Sequence, residues 1–374
     1  MDERCFSGGS PQSGPARRAA RRAHRRESKF EAAVREEKVK AQVHLSSDII
    51  DNILLAARAR NGRPVFPEGH EPRILAAARM LVDEKLARPV ILGDGAEITR
   101  TASSSGILLA GIDVIDPASS PELSVYTESY LQTRLGSKQG VAARLVKKPL
   151  FFAAAMVRAG HADAMIAGAV NPTARVIEAG KMVLGLKSGV KTPSSFFLIT
   201  IPSRAGVPAC NLIFADCALN IDPTAEELAD IAQASAASAS RLLSEAPRVA
   251  LLSFSTHGSA RHPAAEKVAQ ATAIVRERVP GVAFDGELQA DTALLDRIAA
   301  AKCREPSDVA GNANVLIFPD LTSGNIAYKL VQHLAGARAI GPFCQGFAGP
   351  LCDLSRGASV EDMVTATAVT LVLG

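Results

Sequence analysis

Residues 314–332, NVLIFPDLTSGNIAYKLVQ, indicate the fold class of this chain. The first seven, NVLIFPD, are a short continuous apolar run bounded by turn residues, which is typical of a buried strand. A helical segment follows directly. Similar strand-like runs occupy residues 63–69, 88–94, 162–169, 195–202, 210–220 and 248–255. Helical segments are predicted at residues 72–87, 149–159, 224–244 and 263–278. Continuous apolar strands that alternate with helices predict an α/β protein with a mainly parallel sheet.

One pair of strands departs from this alternation. Only a short Gly/Pro-containing link separates residues 195–202 from residues 210–220. A helix does not fit there, so the pair is predicted to form an antiparallel hairpin. The length of 374 residues favours two domains over one.

The positive charge of the chain lies mostly at its beginning. Residues 1–40 contain eleven Lys or Arg and six Asp or Glu, which leaves 31 basic and 32 acidic residues in the remainder. A general nucleic-acid-binding domain needs a basic folded surface, and the composition of the remainder does not predict one. Residues 1–26 are rich in Gly, Ser, Pro and then Arg, so the sequence predicts disorder there, followed by helix from residue 28 to about residue 60.

Composition argues against several kinds of site. The six cysteines include no C-x-x-C pair, and the seven histidines include no H-E-x-x-H, so no metal site is predicted. The cysteine spacing does not suit a disulfide framework, which favours a reducing cytoplasm. No apolar run approaches the ~18 residues of a membrane span. The two common glycine-rich nucleotide motifs do not occur.

Strand-end loops are the predicted ligand site. In open α/β sheets, ligands bind beyond the carboxyl ends of the strands. Six such loops are rich in Gly, Ser, Thr and Asn, and several open helices whose free N–H groups suit an anion. They are FPEGHEPR (66–73), AGAVNPTAR (167–175), FADCALN (214–220), SFSTHGSA (253–260), FPDLTSGN (318–325) and GPFCQGFAGPLCDLSRG (341–357).

The last of these loops leads into LSRGASVED, residues 354–362. Ser359 and Asp362, just before an apolar run, have the spacing of a helix capping box. A cap needs neither Ser355 nor Arg356, whereas an anion site would use both. A guanidinium group matches phosphate bidentately, and the helix start adds partial positive charge.

Eight segments together resemble the phosphate acetyltransferase (phosphotransacetylase) family. They cover about residues 63–374 and are VFPEGHEPRIL (65–75), GAVNPTARVI (168–177), GVKTPSSFF (189–197), FADCALNIDPTAEELADIA (214–232), RVALLSFSTHGSA (248–260), DGELQADTAL (285–294), NVLIFPDLTSGNIAYKLVQ (314–332) and IGPFCQGFAGPLCDLSRGASVEDMV (340–364).

The resemblance implies a fold and a reaction. Members interconvert acetyl-CoA plus phosphate with acetyl phosphate plus CoA, and need no organic cofactor or structural metal. The implied fold is two α/β domains with a cleft between them, similar to the isocitrate dehydrogenase fold. Domain I would combine residues 45–187 with 343–374, domain II would be residues 188–342, and residues 1–44 would form a basic extension. A cytoplasmic homodimer is expected.

The resemblance also assigns roles to individual residues. The catalytic Ser-Arg pair and the base fall on Ser355, Arg356 and Asp362. An ordinary aspartate, with a pKa near 3.9, is about 4–5 pH units too acidic to take a thiol proton easily. A capping role for Asp362 therefore stays open beside the catalytic one. Arg356 could instead be an ordinary surface arginine, and Ser355 a turn hydroxyl.

Further residues are implied in binding CoA or phosphate. They are Arg134, Arg175, Ser255, Thr256, Ser259, Asn325 and Lys329. Plain alternatives remain for each, namely a solvated helical residue or a Gly-Ser turn. At one motif the chain departs from the family: Arg175 stands where the family has Asp, and Glu178 stands where it has Arg. A relocated charge on the same helix face would explain this exchange.

Three other functions compete with acetyl transfer. A relative could prefer propionyl or butyryl phosphate, since the motifs do not fix the volume of the acyl pocket. A homologue could sense ligands without turnover, as a related domain does in malic enzymes. The basic residues 1–44 could be a nucleic-acid arm, a targeting segment that packages the enzyme, or an artefact of the assigned start.

Overall fold

The computed structural model describes residues 49–134, 136–203 and 209–374. The predicted extension of residues 1–44 lies outside these ranges, as does the predicted beginning of the first helix. Residues 49–60 are helical, in agreement with the remaining part of that prediction, and are labelled α1.

Eleven strands form one mostly parallel sheet in the described part of the chain. The strands are β1 (Pro64–Phe66), β2 (Val90–Leu92), β3 (Asp113–Ile115), β4 (Ala164–Ala167), β5 (Ser194–Ile201), β6 (Cys210–Ala215), β7 (Arg248–Leu252), β8 (Ala283–Leu288), β9 (Val315–Ile317), β10 (Arg338–Gln345) and β11 (Leu351–Asp353). Their order across the sheet is β3-β2-β1-β4-β11-β10-β5-β6-β9-β7-β8.

Along the chain, helices lie between most of these strands. They are α2 (Pro72–Asp83), α3 (Gly95–Ser104), α4 (Leu123–Thr133), α5 (Gln139–Val146), α6 (Pro149–Arg158), α7 (Thr173–Ala179), α8 (Ala225–Leu242), α9 (Pro263–Arg278), α10 (Ala290–Leu294), α11 (Asp296–Lys302), α12 (Leu321–Ala335) and α13 (Val360–Leu373). A short π-helical turn, Gly180–Leu184, follows α7.

The α/β prediction and the hairpin are confirmed. β5 pairs antiparallel with β6 from Phe196↔Ala215 to Ile201↔Cys210. Only the contacts of β10 with β5 and β11, and of β5 with β6, are antiparallel among the described strand pairs. A single sheet runs through the residues assigned to both predicted domains, because β10 connects β11 to β5.

Several strands were missed because their sequences show neither an alternation of apolar and polar residues nor a continuous apolar run. β8 contains Asp285, Gly286 and Glu287, and β10 contains Gly341-Pro342. The second part of β10 and all of β11 lie within residues 341–357, which were interpreted as one strand-end loop. This interpretation was wrong for these strand residues, since ladder pairing decides their conformation. The predicted domain boundary between residues 342 and 343 falls inside β10.

The C-terminal helix anchors the centre of the molecule. Residues Met363–Leu371 of α13 are all buried. α13 packs against α2, α8 and the central strands. β11 pairs parallel with β4, and after Asp353 the chain passes through residues 354–359 into α13. The fold thereby places this short connection beside the carboxyl end of β4.

Candidate active site

A cavity of about 460 Å³ lies at one edge of the central sheet. Four of the six predicted strand-end loops contribute to it, namely those after β4, β6, β9 and β11. The start of β10 runs antiparallel and reaches the same edge, so that Gly341 and Pro342 also line the cavity. The cavity therefore lies at the end of these strands where the sequence predicted a ligand site.

Four of the residues predicted for the site meet in this cavity, namely Ser355, Arg356, Asn325 and Lys329. The first two precede α13, and the other two lie on α12. The Lys329 Nζ donates a hydrogen bond to Asn325 Oδ1 at 2.7 Å, and the Asn325 Nδ2 donates to the carbonyl of Cys217 at 3.2 Å. Two cationic side chains from different elements thus converge on one space, which suits an anionic ligand.

Arg73 fixes the connection that carries Ser355 and Arg356. Its Nη1 donates to the carbonyl oxygens of Arg356 at 2.8 Å and Ala358 at 3.1 Å. Glu71 accepts from Arg73 Nε at 2.8 Å, and this hydrogen bond holds the pKa of Glu71 below its usual range. Sequence reasoning missed this role, because 283 positions separate Arg73 from Arg356 along the chain. The quoted loop FPEGHEPR contained the residue but did not show its partner.

Glu68 holds a second loop of the cavity. It is fully buried, and its carboxylate accepts hydrogen bonds from the backbone N–H groups of Ala169, Val170 and Asn171 at 2.7–3.0 Å. The Asn171 Nδ2 donates to it as well, at 2.8 Å. A buried carboxylate with four donors is well compensated. Glu68 therefore fixes the loop after β4, on which Asn171 lines the cavity.

Asp353, at the end of β11, is a buried acid that lines the same cavity. The residue is only 1% exposed, and its Oδ1 has no hydrogen-bond partner among the residues that the structure describes. The pKa of Asp353 is raised to about 6, mainly by burial and in addition by the Glu68 carboxylate. A hydrogen bond from Thr173 and the charge of Arg356 act in the opposite direction. Sequence reasoning passed over Asp353, although it stands two positions before Ser355.

Asp362 forms the predicted capping box. The Ser359 hydroxyl oxygen accepts from the Asp362 backbone N–H at 3.1 Å, and Asp362 Oδ2 accepts from the Ser359 N–H at 3.2 Å. Asp362 Oδ1 lies 3.5 Å from Arg338 Nη2, and both side chains are about half exposed. Asp362 is not among the residues that line the cavity in the described structure. The cap is confirmed, and the catalytic role stays a prediction.

An aromatic pair forms one wall of the cavity. The rings of Phe197 and Tyr328 stack with centroids 4.2 Å apart. Cys217 lies on the same wall, and burial raises the pKa of its thiol well above the usual value. Beside the charged wall the cavity therefore has an apolar one, which suits a ligand with an uncharged acyl or thioester part.

The loop SFSTHGSA lies elsewhere. Its hydroxyl and N–H groups face an internal carboxylate, because the Ser255 Oγ and the Gly258 N–H donate to Glu287 Oε1 at 2.8 and 2.7 Å. Ser259 Oγ accepts from the Thr256 N–H at 3.0 Å. The loop thus folds around the chain's own Glu287, which engages those two donors. The binding roles of Ser255, Thr256 and Ser259 stay predictions.

Arg175 and Arg134 also lie apart from the residues that line the cavity. Arg175 Nη1 pairs with Glu178 Oε2 at 2.5 Å, one turn along α7, so Glu178 offsets its charge. The Arg134 Nη2 donates to the carbonyl of Lys181 at 3.1 Å. The structure does not bring these two arginines to Arg356 and Lys329. Their binding roles stay predictions.

No group of three or more His, Cys, Asp or Glu side chains in residues 49–134, 136–203 and 209–374 could hold a metal ion. Within these ranges, none of the helices combines the length and the apolar character that crossing a membrane requires.

The sequence is similar to that of known phosphate acetyltransferases. The family model described as phosphate acetyl/butaryl transferase matches residues 48–371. A phosphate acetyltransferase of Treponema pallidum is 48% identical over 316 residues, which is 83% of this chain and 94% of that protein. A phosphate acetyltransferase of Clostridium acetobutylicum is 42% identical over 327 residues, covering 87% of this chain and 98% of that one.

A solved structure agrees with these sequence matches. The phosphotransacetylase from Streptococcus pyogenes superimposes with a TM-score of 0.80 at 37% identity. The match covers 86% of this chain and 98% of that chain. The family match over residues 48–371 spans both the central strands and the loops that form the cavity.

Proposed function

The chain belongs to the phosphate acetyl/butaryl transferase family, and we propose that its reaction takes place in the cavity between Arg356 and Lys329. It is a transferase enzyme that interconverts acetyl-CoA plus phosphate with acetyl phosphate plus CoA. The observation that carries the proposed location is the convergence of Ser355, Arg356, Asn325 and Lys329 from two separate elements.

Arg356 and Lys329 bind the phosphate or the phosphoryl group of acetyl phosphate. The guanidinium group of Arg356 provides a bidentate contact, and Lys329 adds a point charge. Ser355 donates a hydrogen bond to the acyl oxygen as negative charge develops on it during attack. The contacts of Arg73 with the backbone of Arg356 and Ala358 support this role, because they hold the arginine in position before substrate binds.

The CoA thiol has to lose its proton as its sulfur attacks acetyl phosphate. A thiol with a pKa near 8.5 is only a few per cent thiolate at about pH 7, so a positioned base accelerates the step. Asp362 accepts this proton in a ternary complex. The sulfur then bonds to the acyl carbon, and the bond from that carbon to the phosphate oxygen breaks. The half-exposed position of Asp362 leaves its carboxylate accessible to a bound thiol.

The remaining parts of CoA are bound outside the cavity. Arg134 and Arg175 contribute to this binding: Arg175 lies on α7, and Arg134 contacts the turn that follows α7. Ser255, Thr256 and Ser259 provide further polar contacts. CoA and phosphate are substrates in this scheme, and the enzyme uses no separate cofactor.

The proposed organisation has two domains with a cleft, similar to the isocitrate dehydrogenase fold. Domain I consists of residues 45–187 and 343–374, and domain II of residues 188–342. The enzyme is a cytoplasmic homodimer. Residues 1–44 are a basic extension that targets or packages the enzyme.

A CoA-release assay tests the proposed function. The protein is incubated with phosphate and acetyl-, propionyl- or butyryl-CoA, and free thiol is measured. Phosphate-dependent release that is highest with acetyl-CoA supports the proposal. Release that is highest with propionyl- or butyryl-CoA would identify a longer-chain acyltransferase, and no release with any of the three would favour a ligand-sensing homologue.

A further inference from the structure

Asp353 is an unusual residue for the cavity that we assign to phosphate. Two cations line this cavity, yet Asp353 lines it as well, and the buried Oδ1 of its carboxylate has no partner among the described residues. A dianion next to a carboxylate is repelled unless a hydrogen atom lies between the two groups. A buried acceptor without a partner is also unfavourable until a ligand supplies a donor.

The surroundings of Asp353 do not supply that donor. Glu68 is a second carboxylate, and its own oxygens already accept four hydrogen bonds. The thiols of Cys344 and Cys352 lie close enough for Asp353 to raise their pKa values, but burial is the larger cause, and both remain protonated and weakly polar. Thr173 donates one hydrogen bond to the carboxylate, which still leaves Oδ1 without a partner. Arg356 is the nearby cation.

Inorganic phosphate carries the missing donor. Near neutral pH its dianion has one O–H group, whereas sulfate, with the same charge and a similar tetrahedral shape, has none. We propose that Asp353 selects phosphate over sulfate by accepting a hydrogen bond from the O–H group of monohydrogen phosphate. The inference rests on the proposed phosphate-binding role of this cavity. Asp353 acts here as a specificity-determining residue for the acceptor substrate of the acyl group.

The expected discrimination is large. A site that is built to accept a hydroxyl rejects analogues that lack it, because a buried acceptor is then left unpaired. Repulsion between the carboxylate and a fully ionised dianion adds to this effect. Solvent access on one side of the cavity limits the size of this effect. We therefore expect sulfate to bind about 10²-fold more weakly than phosphate.

The first test uses the wild-type protein and three dianions. Binding of phosphate, sulfate and monofluorophosphate is measured by calorimetry at about pH 8, where an acid with a pKa of about 6 is ionised. Monofluorophosphate has the charge and size of phosphate, but fluorine replaces the O–H group. Much tighter binding of phosphate than of both analogues supports the proposal. Similar affinities for all three anions would overturn it, whatever the behaviour of any variant.

The second test compares Asp353→Asn with Lys329→Gln. The asparagine keeps the size of the side chain but can donate to sulfate, so the ratio of the sulfate and phosphate dissociation constants should fall at least about tenfold. Lys329→Gln removes a charge that attracts both anions, so it should weaken both and keep the ratio. If a folded Asp353→Asn protein keeps the wild-type ratio, the proposal is wrong.

These measurements are independent of turnover. If the CoA-release assay finds no acyl transfer but phosphate is still selected over both analogues, the proposed function fails and the role of Asp353 stands. If acyl transfer is normal and the three dianions bind equally, the role of Asp353 alone fails. If phosphate does not bind in the cavity, both fail.

Discussion

Replacing Asp362 by Asn separates the two roles that this residue can have. In the structure its carboxylate accepts from the Ser359 N–H at 3.2 Å and lies 3.5 Å from the Arg338 guanidinium group. Asn can still accept from the N–H. The change removes a charge near a helix N-terminus, worth about 0.3–1 kcal/mol, and a half-exposed ion pair, worth about 0–1 kcal/mol.

The fold should tolerate this loss. Residues Met363–Leu371 are buried, so packing of α13 does not depend on its cap. We expect the Asp362→Asn protein to melt no more than about 4 °C below the wild type. If Asp362 is the base, however, the amide of the substituted Asn cannot take the thiol proton. The turnover rate should then fall by about 10²–10⁴. Thermal unfolding and thiol consumption at saturating CoA measure these two quantities.

Ser359→Ala is the matched control. It removes the hydroxyl that accepts from the Asp362 N–H at 3.1 Å, but it keeps the carboxylate. A cost of about 1 kcal/mol in stability with nearly normal turnover is expected. Turnover by Asp362→Asn within about threefold of wild type would refute the reasoning. Asp362 would then be a structural cap, and Ser355 and Arg356 would act on a thiolate that solvent generates.

Four further changes have defined outcomes. Arg356→Ala should lower kcat/KM about 10²–10³-fold without unfolding the protein, and a loss below tenfold would remove Arg356 from the phosphate site. Glu68→Gln places an amide against three buried backbone donors and should destabilise the protein by about 2–3 kcal/mol in urea unfolding, whereas an unchanged midpoint would contradict that role. Because the pKa of Asp353 is about 6, wild-type sulfate affinity should rise as pH falls through that value, and Asp353→Asn should show no such rise. Deleting residues 1–40 should leave specific activity unchanged, and a folded but inactive product would show that this segment takes part in function.

Local patterns account for what the sequence predicted well. The α/β class follows from continuous apolar strands that alternate with helices, and the hairpin of β5 and β6 follows from a link too short for a helix. The capping box of Ser359 and Asp362 needs contacts over only three residues. Strands β8 and β10 were missed because polar residues, Gly and Pro interrupt them, and pairing with neighbouring strands overrides these local preferences.

The sequence predicted some residues of the candidate cavity, but not the contacts that hold them. The sequence alone placed Ser355 and Arg356 in a loop that leads into a helix, because they directly precede the capping box along the chain. Only the tertiary structure showed that Arg73 holds their backbone from 283 positions away, and that Glu287 engages the donors of the loop at Ser255. Only burial beside Glu68 in the folded structure gives Asp353 its raised pKa and unpaired oxygen. Burial and long-range hydrogen bonds arise when distant segments pack together, so these properties depend on the whole fold and not on neighbouring residues.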